Sequence, residues 1–325
     1  MDVILPVAGL GSRLRPQTWS KPKPLVSVAG KPMLAHVLDR VLPLEPEKIV
    51  FITGYLGDQI ETWARSYYPD QHLEFVIQPE MLGQTDAIIR TRQYCNDDAL
   101  ILFPDALFEA DFSGIAEPGL DGIAFTKVVD DPSAYGIAVT DGRFITRLVE
   151  KPDIPLSHDA VIGIYYFRAI ADLFTAIDEQ FRLELRTKGE YFLADAIQLM
   201  IDAGKKFAIQ PIEIWEDAGS ADFLLQTNRY LLSSAPPSPV QRPGSIILPP
   251  SFVDKTATIE NAVIGPFASI GAGAVVRDAV VRDSVVEDNS IIESAILEHS
   301  IVGRSSEIIG RPARMNVADT TKVAL

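Results

Sequence analysis

The sequence is short of cysteine, histidine and positive charge. A single cysteine, Cys95, among 325 residues excludes an intramolecular disulfide framework and a cysteine-based zinc cluster. The four histidines, His36, His72, His158 and His299, show no metal-ligand spacing. Lysine and arginine number 29 against 44 aspartates and glutamates, a net charge of -15. That balance excludes the broad basic face that nonspecific nucleic-acid binding requires. No apolar run is long enough to span a bilayer. The apolar start, Val3 to Val7, is shorter than a signal-peptide core and has no cationic lead, so it reads as a buried first strand, with the cytoplasm as the expected location.

What is present is a chain of two textures. Apolar runs such as "DVILPVAG", "KIVFITGY" and "ALILFPD" alternate with amphipathic stretches such as "MLAHVLDRVL" and "GDQIETWARSYY". This alternation predicts an α/β fold, a Rossmann-like mixed and mostly parallel sheet covered on both faces. "LEFVIQ", "GIAFTKV" and "AVIGIYYF" read as further strands, "GIAVTDGRFITRLVEKP" as a hairpin turning at Asp141-Gly142, and "QTDAIIRTRQYC", "RAIADLFTAIDEQF", "LADAIQLMIDAG" and "FLLQTNRYLLSS" as helices. "SSAPPSPVQRPGS" is proline-rich and reads as a linker. Beyond it, aliphatic residues recur every five or six positions at Val253, Ile259, Ile264, Ile270, Val276, Val281, Val286, Ile292, Leu297, Val302 and Ile308. Small residues follow at Thr256, Ala262, Ala268 and Ala274. The period predicts a short left-handed parallel β-helix of hexapeptide rungs, with the aliphatics filling the bore. The expected domains are 1–233, a linker at 234–245, and 246–325.

Against the acidic background, "PVAGLGSRLRPQTWSKPKPLVSVAGKPM" (Pro6 to Met33) carries Arg13, Arg15, Lys21, Lys23 and Lys31 and no carboxylate. Gly9 and Gly11 follow the first strand, where missing Cβ atoms let backbone N–H groups approach an anion. Prolines at 16, 22, 24 and 32 stiffen the turns and hold the cations. Two common phosphate loops fail: Leu14 stands where a dinucleotide fingerprint needs glycine, and Gly30-Lys31 is followed by Pro32 where a P-loop needs Ser or Thr.

This stretch resembles the signature of the sugar-1-phosphate nucleotidylyltransferases, AGGxGTRLxPxTxxxPKPLxPVxGKPM, with Ala8 for the first glycine and Ser12 for threonine. The resemblance implies that Ala8, Gly9, Leu10, Gly11, Ser12 and Arg13 receive a nucleoside triphosphate. "QPEMLGQTDAI" resembles a further family segment, which implies that Gln78 reads a pyrimidine edge, donating and accepting at once, with Gly83 closing on the base. Asp105 ends "ALILFPD" and Asp217 lies in a W-x-D-x-G-[ST] segment; both match the family's metal-holding positions, implying Mg2+. "AYGIAVTDGRFITRLVEKP" is similar to the sugar half-site, implying that Glu150 accepts from sugar hydroxyls, Lys151 meets the sugar phosphate and Gly136 leaves room for the ring. Gly163 is a similar close-approach candidate. "GEYFLADAI" matches another family segment, with Glu190 and Asp195 as supporting groups.

The implied reaction joins dTTP or UTP to a sugar 1-phosphate, by family frequency glucose 1-phosphate, with Arg13, Lys23, Asp105 and Asp217 as the catalytic set. The nucleophile is already an anion, so no general base is needed; the work is positioning and charge stabilisation. Expected partners are these substrates and a second copy of the chain through the β-helix, with no nucleic acid or membrane. Two alternatives stand beside this: a hexapeptide-repeat acyltransferase, for which His299 is the sole C-terminal histidine, and a non-catalytic binder of nucleotide sugars.

Overall fold

The computed structural model describes residues 1–104, 106–217, 219–234 and 242–311, without the side chains of 216 and 217. Two compact units are formed. One comprises Met1–Val26 with Lys31–Phe223, the other Ser27–Gly30 with the chain from Leu224 onward.

The strands of the N-terminal part are β1 (Asp2–Pro6), β2 (Ser27–Val28), β3 (Lys31–Pro32), β4 (Lys48–Thr53), β5 (Leu73–Ile77), β6 (Ala99–Leu102), β7 (Ala106–Glu109), β8 (Gly122–Val128), β9 (Gly136–Asp141), β10 (Phe144–Glu150), β11 (Asp159–Phe167), β12 (Phe207–Pro211) and β13 (Ile214–Asp217). The helices are α1 (Met33–Val41), α2 (Gly57–Tyr67), α3 (Gln84–Ile89), α4 (Ile170–Arg182), α5 (Leu193–Asp202) and α6 (Ala221–Ser234). A nine-stranded sheet runs β5-β4-β1-β6-β11-β8-β12-β10-β9, and β9 returns to pair with β11. Its first four strands are parallel, and β11 is antiparallel to both β6 and β8. The sheet is therefore mixed.

Alternation places the core. In β1, Val3 and Leu5 enter one apolar cluster and Ile4 the opposite one, so both faces are covered, as a continuous apolar run requires. In α4, Ile170, Leu173, Phe174 and Ile177 share the buried stripe at helical spacing. Local departures from the sequence pattern are small. The hairpin's two loop residues are Gly142 and Arg143, because Asp141 still pairs with Phe144. Helix α3 ends at Ile89, short of the full "QTDAIIRTRQYC" run. "FAIQPIEIWED" is two strands in two sheets, β12 in the large sheet and β13 paired with β7.

In the second unit, three four-stranded parallel sheets are stacked from two- and three-residue strands, the pattern of a β-helix. Register links such as Val263 to Val280 and Val280 to Ile296 set the length of each coil. Nine of the eleven periodic aliphatics belong to one apolar cluster, with Ile264, Ile270, Val276, Val281 and Ile292 fully buried, and Leu297 and Ile308 pack against it half-buried. Ala262, Ala268 and Ala274 are buried beside them, but Thr256 is not: Ala257 takes the inner place, and Thr256 donates to Asp254 in the turn. Helix α6 is counted with this unit from Leu224, so the N-terminal unit ends at Phe223, short of the expected boundary at 233. Residues 235–241, most of the expected linker, lie outside the described residues.

Candidate active site

Three parallel strands deliver residues to one place. β1 runs into Val7–Arg13, β5 hands over to Gln78, and β6 leads to Phe103 and Pro104. These positions help line a cavity of about 400 Å³, beyond the carboxyl ends of the strands, where open α/β sheets bind ligands.

One end of the cavity is the glycine-rich loop. Ala8, Gly9, Gly11, Ser12 and Arg13 line the cavity, as does Lys23; Leu10 is exposed and does not. Among the described residues, the backbone N–H groups of Gly9, Leu10 and Gly11 have no backbone acceptor, leaving them for an anion. Gly11 has φ +61°, and a Cβ there would lie 2.8 Å from Lys23 Cβ, so only glycine lets the lysine stem pack against the loop. Thr18 Oγ1 donates to Gly11 O at 2.8 Å and fixes the turn. Leu14, where a dinucleotide loop needs glycine, is 1% exposed and anchors the loop in the core. The five cations do not act together. Lys21 is buried and Lys31 pairs with Asp39, while Arg13 and Arg15 are exposed.

At the opposite wall, Gln78 is 5% exposed. Its Nε2 donates to Gly83 O at 3.1 Å and to Asp86 Oδ2 at 3.0 Å. Both neighbours are acceptors, so the amide nitrogen must face them and both its hydrogens are used. Gln78 therefore offers a ligand only its Oε1, not the donor-and-acceptor pair expected from the sequence. Asp86 also accepts from Arg90 at 2.8 Å, so a Gln78–Asp86–Arg90 chain fixes the amide. Asp86 escaped the sequence reading, although its i,i+4 spacing to Arg90 on α3 was a signal. A Cβ on Gly83 would strike the backbone of Tyr191, so this glycine serves a close chain crossing as well as the cavity. Gln84 accepts from Leu193 N–H at 3.0 Å and ties α3 to α5. Met81 and Phe103 give the cavity apolar walls that no motif announced.

The expected sugar residues form a second cluster. Register sets Glu150 opposite Gly136, and a Cβ on Gly136 would lie 2.9 Å from Glu150 Oε2. The space left by Gly136 houses the Glu150 carboxylate. Burial raises the Glu150 pKa; Lys151, with Nζ 3.5 Å from Oε1, works against the rise, and Asp195 and Glu190 add to it. Burial also raises Asp195, which accepts from Thr187 Oγ1 at 3.0 Å. Lys151 Nζ lies 4.6 Å from the Phe192 ring centroid. Gly163 sits where the β11 register slips, and a Cβ there would lie 3.2 Å from Phe103 Cβ. The cavity wall at Phe103 therefore rests on Gly163. None of Gly136, Glu150, Lys151 or Gly163 lines the cavity itself, whereas Glu190 does.

Asp105 lies outside the described residues, and so does the Asp217 side chain. The backbone of Asp217 pairs with Ala106, the residue that follows Asp105 in the chain. Two carboxylates at these positions are hard oxygen donors of the kind magnesium takes. Among the described residues, no three His, Cys, Asp or Glu side chains gather as a metal cage.

A profile of the nucleotidyl transferase family matches residues 2–234. The chain belongs to that family. The recognition of the sugar-1-phosphate nucleotidylyltransferase signature in Pro6–Met33 stands with this match. Among similar curated proteins, the bifunctional protein GlmU of Methanocaldococcus jannaschii is 32% identical over 71% of this chain and 54% of its own length. The chain thus spans about half the length of that relative. The UTP–glucose-1-phosphate uridylyltransferase AglF of Haloferax volcanii is 30% identical over 70% of this chain and 97% of its own. A solved structure from Bacillus anthracis, assigned as a glucose-1-phosphate thymidylyltransferase, superposes with a TM-score of 0.63 at 25% identity, covering 74% of this chain and 98% of the other.

Proposed function

We propose that this nucleotidyl transferase joins UTP or dTTP to a hexose 1-phosphate, glucose 1-phosphate foremost, and releases pyrophosphate. The observation that carries the proposal is the convergence of the glycine-rich loop, Lys23, Gln78 and Gly83 on one cavity. In this reading the loop amides and Arg13 grip the triphosphate, and Lys23 bridges the α-phosphate and the attacking sugar phosphate. The attacking oxygen is already anionic, so the protein's task is to bring two polyanions together in line and to stabilise charge on the phosphoryl oxygens. Asp105 and Asp217 would hold magnesium, which supplies positive charge to the phosphates when bound. Glu150 and Lys151 take the sugar hydroxyls and the sugar phosphate.

The base preference follows from Gln78. An acceptor fixed by Asp86 favours a ring N–H, as uracil and thymine have at N3 and guanine has at N1, so the contact separates these from cytosine and adenine. Cytosine and adenine present ring acceptors there and would leave two acceptors facing each other. The similarity to AglF, a UTP–glucose-1-phosphate uridylyltransferase by name, supports the same choice.

The test is pyrophosphate release from a matrix of nucleoside triphosphates and sugar 1-phosphates with magnesium. We expect turnover with UTP or dTTP and little with CTP or ATP. Lys23→Ala and Asp217→Asn should each lower turnover at least tenfold while leaving the circular-dichroism spectrum unchanged. Near-normal rates in both variants contradict the assigned roles. The acyltransferase alternative gains nothing from His299, which with Arg229 is engaged by Asp283.

A further inference from the structure

The Gln78 amide has two ends of nearly equal size and opposite polarity, so what it offers a ligand depends on which end faces the cavity. Its main chain is fixed first: Gln78 N–H donates to Thr53 O at 2.8 Å, just past the last paired residue of β5. In so buried a residue both hydrogens of Nε2 need acceptors, and Gly83 O and Asp86 Oδ2 supply them.

Asp86 is 7% exposed and does not line the cavity, so it stands behind Gln78 rather than against a ligand. Its two oxygens have different partners. Oδ2 accepts from Gln78, and Oδ1 accepts from Arg90 at 2.8 Å. Two donors on two oxygens is a demand that a carboxylate meets and its isosteric amide does not. Asparagine has one oxygen for both donors, and its Nδ2 would face one of them. The Asp86–Arg90 pair alone leaves the second oxygen unexplained, because an i,i+4 pair on a helix needs no contact with a strand residue.

Turning the Gln78 amide over would set Oε1 against Gly83 O and against the Asp86 carboxylate. Two acceptor-to-acceptor contacts then oppose the turned form. The contact with Asp86 is the stronger of the two, because that partner is charged.

We infer that Asp86 is a positioning residue that sets base selectivity: with one oxygen on Arg90 and the other on Gln78, it holds the Gln78 oxygen toward the cavity, so that the site takes a ring N–H and rejects a ring acceptor. Arg90 acts through Asp86, by occupying the oxygen that Gln78 does not use. This rests on the proposed function, and the experiment separates the two.

The probes are UTP and CTP, because uracil and cytosine share an outline while their N3 positions donate and accept respectively. Dissociation constants are measured by calorimetry with magnesium and without sugar 1-phosphate, so the reading does not depend on turnover. The full chain should bind UTP about thirtyfold more tightly than CTP, or better. In Asp86→Asn that ratio should fall about tenfold or more, since the new amide can turn its oxygen to Arg90 and its nitrogen to a turned Gln78. In Asp86→Asn/Arg90→Met the contest for the one oxygen is gone, and about threefold of the ratio should return. A purely structural Asp86 would weaken both nucleotides together, and the second substitution would restore nothing.

A neutron structure of the deuterated, unaltered chain keeps the test open should a variant fold poorly. It should place both Gln78 amide deuterons toward Asp86 and Gly83 O. Deuterons facing the cavity overturn the inference. So do equal or absent binding of UTP and CTP by the wild type, a parallel loss of both in Asp86→Asn, an unchanged ratio in that variant, or no recovery in the double variant. A wild type that keeps the ratio yet releases no pyrophosphate counts against the proposed function alone.

Discussion

Glu150 shows how one residue's environment becomes a measurable property. Its carboxylate is folded into the space left by Gly136 and largely removed from water, so its pKa is raised above the ordinary value of 4.5. A buried carboxylate with a raised folded-state pKa stabilises the fold below its unfolded pKa, and that contribution is lost as pH rises through the folded value. Sugar binding has the opposite sign, because the ionised form is the better acceptor. The KM for sugar 1-phosphate should therefore climb as pH falls, starting above the usual glutamate range. In Glu150→Gln it should be higher throughout and flat across that window. Steady-state kinetics against pH for both proteins check this, and a wild-type profile that is flat there contradicts it. The sequence marked Gly136 and Glu150 separately but not their relation, because which side chain fills a glycine's empty space is decided by strand register. Gln78 is similar: its position was legible, yet its hydrogen-bond polarity was not, since Asp86 and Gly83 O set it from outside the strand.

Among the elements, periodicity was the readable signal. The aliphatics at five- and six-residue steps all reached the bore, and the amphipathic stripe of α4 found the core. The small-residue spacing did not distinguish the inner alanines from Thr256, a turn threonine bonded to Asp254. Strand ends were legible as apolar runs, but "FAIQPIEIWED" concealed a change of sheet that no period records. The short strands make each rung depend on its bore residue. Ile270 is fully buried, and Ile270→Ala should cost about 2–5 kcal/mol. Chemical denaturation of full-length protein measures it. A loss under about 0.5 kcal/mol, the level of an ordinary surface change, contradicts tight packing of the bore.

For the whole molecule, a net charge of -15 makes two copies repel, so self-association, expected of the repeat, needs an uncharged contact. The column Ile246, Val263, Val280 and Ile296 is in register on one sheet, with Ile296 73% exposed, whereas the Glu260–Arg277–Glu293 column is charged. If the neutral column joins copies, Ile296→Glu should reduce the mass found by light scattering; an unchanged oligomer places the contact elsewhere. Charge scarcity also made the basic signature visible at once. The most direct measurement is a crystal structure of the full chain with magnesium and a non-hydrolysable UTP analogue. We expect the triphosphate against Gly9–Arg13 and Lys23, the metal between Asp105 and Asp217, and the uracil N3–H on Gln78 Oε1. A triphosphate lodged away from that cavity contradicts the proposed chemistry.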